Sequence, residues 1–180
     1  MVYIKSVKEL RRLIDNGKNP VEAKPGVYRW WFKKDVTLEL LKNFPSLNEM
    51  PLLSREINGN VYLGLYFGMS ANMRQRIKWH VCQHHSLSSV NSGFLSTLRQ
   101  TLSALLKVEM SKSEDLVNKF IDINCYWEWE YTQSKTEALQ IEKNELSQSP
   151  HYYPLNVKNH KRVSNQWLHY LNSLRNTFRK

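Results

Sequence analysis

The chain has 180 residues, 41% of them hydrophobic and 12% aromatic, with a formal net charge of +10. That composition excludes a disordered chain and allows one domain with a real core. No apolar run approaches the roughly 20 residues of a membrane span. No apolar stretch follows the N-terminal charges as in a secretion signal, and two cysteines are too few for a disulfide framework, so the expected compartment is the cytoplasm.

Ser6-Val7-Lys8-Glu9 reads as a capping box and Gly17 as a stop, which predicts a short N-terminal helix over 6–16 with Leu10, Leu13 and Ile14 on its apolar face. Pro25-Gly26 breaks the chain before a run of strand formers, Val27 to Phe32. Asp35 is the expected cap of a short helix reaching Leu41, and Pro45 and Pro51 bracket a loop. Asn58-Gly59 signals a hairpin turn ahead of the aromatic and β-branched strand Val61 to Gly68. Ser70 or Asn72 can cap the following helix, which carries Arg76 and His80. Ser86 to Gly93 reads as a polar turn, Phe94 to Lys107 and Ser113 to Phe120 as helices. Cys125 to Tyr131 alternates, with Cys125, Trp127, Trp129 and Tyr131 on one face and Glu128 and Glu130 on the other, the pattern of a half-buried strand. Ser134 to Glu137 is a second capping box, opening a helix to about Leu146 that Pro150 and Pro154 end. Ser164 to Phe178 reads as a basic terminal helix. With no repeat, low-complexity tract or linker, the expected fold is α/β (α+β): a small central antiparallel sheet flanked by helices, with helical insertions and a basic C-terminal helix. The expected organisation is a single domain over 1–180, with a core at about 26–156 and a basic extension over 157–180.

The charge is unevenly spread. Between Ile57 and Val108 there is no acid but five cations, Arg74, Arg76, Lys78, Arg99 and Lys107. From Leu146 to Lys180 there is again no acid, against six cations. A cationic excess confined to two segments suggests a surface for a polyanion; a basic protein with no such partner is the alternative.

The stretch from Tyr66 to His80 is the most informative. It reads as a strand ending in a tyrosine, a turn at Gly68, and a helix with Arg76 and His80 four residues apart on one face. Such a face can hold a phosphate beside a proton-transfer group. Here the chain resembles the GIY-YIG nuclease family. Gly26-Val27-Tyr28 is similar to the first motif strand and Tyr66-Phe67-Gly68 to the second. Arg76 falls at the family's arginine position, and His80 lies one turn on. Glu137-Ala138-Leu139-Gln140-Ile141-Glu142 resembles the helix with the family's metal-binding glutamate, and Pro154-Leu155-Asn156 the closing motif. The likeness runs from about Gly26 to Asn156 and rests on five motifs in order. Tyr62-Leu63-Gly64 competes for the second motif but has Asn72, not a cation, eight residues on. The 38 residues separating Tyr28 from Tyr66 imply an inserted helix and loop, and Met69 stands where some members carry a lysine.

The resemblance implies a metal-dependent endonuclease acting on DNA. Tyr28 or Tyr66 would serve as general base, with Tyr28 preferred and His80 orienting it or relaying its proton. Arg76 would clamp the phosphate, Glu142 would hold Mg²⁺ (or Mn²⁺), and Asn156 would fix local geometry. The chemistry suits these residues: a guanidinium offers a planar fork to phosphate oxygens, one carboxylate with waters suits Mg²⁺, and a phenol of pKa about 10 needs help to act as a base. The expected nucleic-acid contacts are Arg74, Lys78, His84, Lys158, Lys161 and Arg162. A compact chain with insertions suggests a restriction endonuclease, and cutting two strands suggests a homodimer. Taken singly, each residue has a plainer reading: core tyrosines, a solvated arginine, a partly buried histidine, an exposed glutamate, a turn asparagine. A non-catalytic nucleic-acid-binding module on the same scaffold is the alternative, and a third reading is an interaction protein whose basic tail meets another acidic partner. His80, Cys82, His84 and His85 lack zinc-site spacing. Trp30, Trp31, Trp127 and Trp129 could stack on bases, with at least one of each pair expected in the core.

Overall fold

The computed structural model describes residues 1–43, 51–156 and 165–179. Among them, five strands form one antiparallel sheet: β1 (Val2–Ser6), β2 (Gly26–Lys33), β3 (Leu53–Ile57), β4 (Asn60–Ser70) and β5 (Cys125–Tyr131), in the order β1-β5-β2-β4-β3. Eight helices accompany them: α1 (Val7–Asp15), α2 (Lys34–Leu40), α3 (Met73–Cys82), α4 (Leu87–Asn91), α5 (Thr97–Leu105), α6 (Glu114–Asn124), α7 (Lys135–Gln148) and α8 (Asn165–Thr177).

Local chemistry sets most boundaries. The side chains of Ser6, Asn72 and Ser134 accept the backbone N–H three residues on, from Glu9, Gln75 and Glu137, and so cap α1, α3 and α7. Asn58 and Gly59 both take positive φ, 51° and 74°, which closes a tight hairpin between β3 and β4. Four expectations are revised. Residues 2–6, for which no element is expected before the helix starting at Ser6, form edge strand β1 against β5. Lys33 precedes α2 as its cap residue, and Asp35 sits in the first turn, where its charge suits the helix dipole. The segment expected as a polar turn contains α4, capped by Ser86. Glu128, expected on the wet face of β5, is buried.

β2 is sandwiched. One face carries Tyr28, Trp30 and Phe32 into the main core with residues of α1, α3, α5, α6 and α8. The other face meets α7 through Val27, Phe67, Ala138 and Leu146. On that second face Arg29 donates to both Glu128 (2.7 Å) and Tyr153 (3.1 Å), while Arg55 and Trp31 donate to the second oxygen of Glu128. The two charges are mutually compensated, as burial demands. The four paired tryptophans of β2 and β5 are all buried, so both members of each pair serve packing. The C-terminal helix α8 is also part of the core: Trp167 and Leu171 are fully buried, and Arg175 donates to Gln100 on α5.

Candidate active site

The site is assembled at β2, β4 and α3. In the β2–β4 register Tyr28 faces Gly68 and Trp30 faces Tyr66, so the two tyrosines are diagonal neighbours on one side of the sheet. Their rings stack with centroids 6.2 Å apart. Gly68 is required by close approach: a Cβ there would lie 2.7 Å from the Tyr28 hydroxyl. Gly26 is required for a different reason, because its Cβ would fall 2.3 Å from the Glu130 carbonyl on β5. Both glycines let a neighbour touch the backbone rather than supply an unusual φ.

Helix α3 brings the next two groups. Met73, Ile77 and Val81 anchor it in the core. His80 faces the same way, and its Nε2 is 3.0 Å from the Tyr28 hydroxyl. Burial, reinforced by Arg76 and Arg99, holds the imidazole well below its usual pKa, so it is neutral. Burial also pushes the Tyr28 phenol well above its ordinary value, with the neighbouring Tyr66 adding to the rise and Arg76 opposing it. The phenol is therefore protonated and shares one hydrogen bond with Nε2, whose direction follows the histidine tautomer; among the described residues Nδ1 is buried without a partner. Burial raises the Tyr66 phenol as well.

One turn before His80, Arg76 lies in the field of Tyr28, Tyr66, His80 and Glu142. Its guanidinium carbon stands 5.5 Å from the ring centre of Trp79, and among the described residues its buried Nε has no hydrogen-bond partner. A guanidinium held beside two phenols with an unsatisfied donor is suited to an oxyanion.

Glu142 and Asn156 share one structural logic. β3 pairs β4 only up to Gly64, so the outer edge of β4 beyond it has no strand partner among the described residues. The Leu155 N–H donates to the Leu65 carbonyl (3.0 Å). The Asn156 carboxamide takes the Phe67 N–H (2.8 Å) and donates to its carbonyl (2.7 Å). Glu142 Oε1 accepts the Met69 N–H at 2.9 Å. Burial raises the Glu142 pKa, while the Met69 bond and Arg76 work against the rise. Its Oε2 has no hydrogen-bond partner among the described residues.

The six expected site residues thus converge on one end of β4. Three of the expected nucleic-acid contacts lie among the described residues. Lys78 is exposed on α3, Arg74 donates to the Val21 carbonyl (3.1 Å), and the exposed His84 is 2.9 Å from Glu114. Lys158, Lys161 and Arg162 lie outside the described residues. Sequence reasoning missed Arg99, counted there as a surface cation. It is fully buried, donating to the His80 carbonyl (2.9 Å), Asn118 (2.6 Å) and His85 Nε2 (2.5 Å). With Arg11, which also donates to the Val81 carbonyl, it satisfies the C-terminal carbonyls of α3 and holds His80 in place.

Neighbouring strands thus present two stacked tyrosines, backed by a histidine and flanked by an arginine and an edge carboxylate, groups whose chemistry suits a phosphate. The family model described as the GIY-YIG catalytic domain matches residues 26–177. The chain belongs to the GIY-YIG family, and its function is of the nuclease type, with DNA as the implied substrate. No curated protein and no solved structure matches the chain. No helix among the described residues is long and apolar enough to cross a membrane.

Proposed function

We propose that the chain is an endonuclease that hydrolyses DNA phosphodiester bonds with the help of a divalent ion, Mg²⁺ or Mn²⁺. One observation carries the reading: the Tyr28 hydroxyl lies 3.0 Å from Nε2 of a buried, neutral His80, with the Arg76 guanidinium alongside. Arg76 binds the non-bridging oxygens of the scissile phosphate and offsets the charge that grows on them. Tyr28 takes a proton from the attacking water as its own proton passes to His80 Nε2. The relay needs no free phenolate, which suits a phenol whose pKa burial raises. The water oxygen bonds to phosphorus as the bond to the leaving oxygen breaks, and that oxygen is protonated from solvent. The imidazolium formed on His80 is offset by the negative charge of the phosphorane.

The residues present fit the metal the family implies. Among the described residues no group of three or more His, Cys, Asp or Glu forms a protein cage. Glu142 instead offers one fixed carboxylate with Oε2 open, the sparse oxygen donor set that Mg²⁺ accepts when waters and phosphate complete its shell. Bound there, the ion would supply Lewis-acid stabilisation of the leaving oxygen. The segment between the tyrosine strands and the helices after Ser86 favour a restriction-type enzyme, and cutting both strands of a duplex calls for two copies of the site.

The test is Mg²⁺-dependent nicking of supercoiled plasmid. Wild-type protein should cut, and Glu142→Gln should bind DNA without cutting. Wild-type protein that binds and never cuts with Mg²⁺ or Mn²⁺ would support the non-catalytic binding module instead.

A further inference from the structure

Five of the six tryptophans are at most 3% exposed; Trp79 is 41% exposed. It is on α3, three residues after Arg76, and its ring is the surface on which that guanidinium rests, 5.5 Å from carbon to centroid. Four residues further along the same ridge, Gln83 at the end of α3 grips the following loop. Its carboxamide donates to the Phe94 carbonyl (2.6 Å) and accepts the Ser96 N–H (2.8 Å). Leu95 is buried beside it, which anchors the loop and leaves Phe94 71% exposed. An exposed indole beside that guanidinium, followed by an exposed phenyl on an anchored loop, offers a partner flat apolar faces.

The surroundings favour an anion-bearing partner with flat apolar faces. Arg74, Arg76 and Lys78 lie on the same helix, and the sequence from Ile57 to Val108 has no acid. The acid at the far end of α3, Glu114, is already occupied by His84 Nδ1 (2.9 Å) and the His85 N–H (3.0 Å). A nucleobase attached to a phosphate gripped by Arg76 meets these requirements: its π face can stack on an indole, and its backbone charge faces the cations.

We propose that Trp79, with Phe94 beyond it, is a stacking ledge for nucleobases of a DNA strand that is unstacked beside the scissile phosphate. The ledge deepens the endonuclease reading and rests on it: it implies a substrate strand locally opened at the cut. Stacking is tolerant of base identity, so the ledge sets where the strand opens rather than which sequence is chosen.

The experiment uses the full chain with Glu142→Gln, so that binding is read without cutting. The probes are a single-stranded oligodeoxynucleotide and an abasic strand of equal length. Trp79→Ala should weaken binding of the base-bearing strand about 5- to 100-fold, as loss of one stacked base does. It should leave the abasic strand unchanged. Trp79→Phe should keep most of the affinity, and Phe94→Ala should reproduce the effect more weakly. The salt dependence should keep its slope in Trp79→Ala and become shallower in Lys78→Ala, because only the second removes a phosphate contact. Equal losses on both strands, or no loss on either, would overturn the ledge, as would a change in oligomeric state without a change in DNA affinity. Failure of wild-type protein to nick plasmid, with the stacking effect intact, would sink the nuclease reading and leave the ledge standing.

Discussion

Gly68→Ala is the sharpest probe of how the backbone positions the tyrosine. The added methyl would sit 2.7 Å from the Tyr28 hydroxyl oxygen and 2.8 Å from Cζ. To reach the 3.4 Å at which ordinary contact begins, the hydroxyl must retreat by about 0.7 Å, on the scale at which misplaced groups lose about 10²-fold in rate. Retreat is hard because Tyr28 is wedged between Tyr66 (6.2 Å between centroids), Trp127 (5.6 Å) and His80 (5.3 Å), all in a close-packed interior. The movement stretches the 3.0 Å bond to His80 and would interrupt the proposed proton relay. Overpacking of this kind costs about 1–3 kcal/mol of stability, which a domain of this size survives. Single-turnover cleavage should therefore fall about 10²-fold while a thermal melt still reports a folded protein. Gly64→Ala is the control: its nearest contact, the Arg29 Cδ at 3.2 Å, is only about 0.2 Å short of ordinary contact, and Tyr28 is not among its near neighbours. Wild-type cleavage by a folded Gly68→Ala protein would refute the placement of Tyr28 in the chemistry.

Two further outcomes follow from groups around the site. Asn156→Ala should orphan the buried N–H and C=O of Phe67, each worth about 1–3 kcal/mol, and urea denaturation should show a lower midpoint. The pH dependence of stability should carry the mark of the buried histidines. Burial lowers the His85 pKa from 6.5 to about 4, and His80 moves the same way, so between those values the unfolded chain binds more protons. Stability contributed by the neutral rings is complete above about pH 6.5 and lost as pH falls toward 4, and urea midpoints across that range should decline. Replacing His85 by Gln should flatten part of the decline.

Features written in consecutive residues were legible from sequence. The caps at Ser6 and Ser134, the Asn58-Gly59 hairpin and the strand over Cys125 to Tyr131 are local signals, and the structure follows them. The four-residue spacing of Arg76 and His80 also carried through, because helical period alone puts them on one side. What distance in the chain creates was not legible. β1 is a strand because β5 lies beside it, more than a hundred residues away. Arg99 has no sequence mark that separates it from a surface cation; burial follows from the α3 carbonyls it meets, which only the assembled helices supply. Glu128 likewise is buried because Arg29, Arg55 and Trp31 converge on it. Trp79 and the four buried strand tryptophans could not be told apart by residue type, and their burial separates them.

The unpaired stretch of β4 has a consequence for solubility. A bare strand margin invites foreign chains to add themselves, and here Leu155, Asn156 and Glu142 bond the margin of β4 in place of a strand. Glu142 stops that by occupying the Met69 amide with a charge. The carboxylate proposed to hold the ion is thus also a guard against self-assembly. An alanine there would uncover an adhesive amide, whereas glutamine retains an acceptor for it.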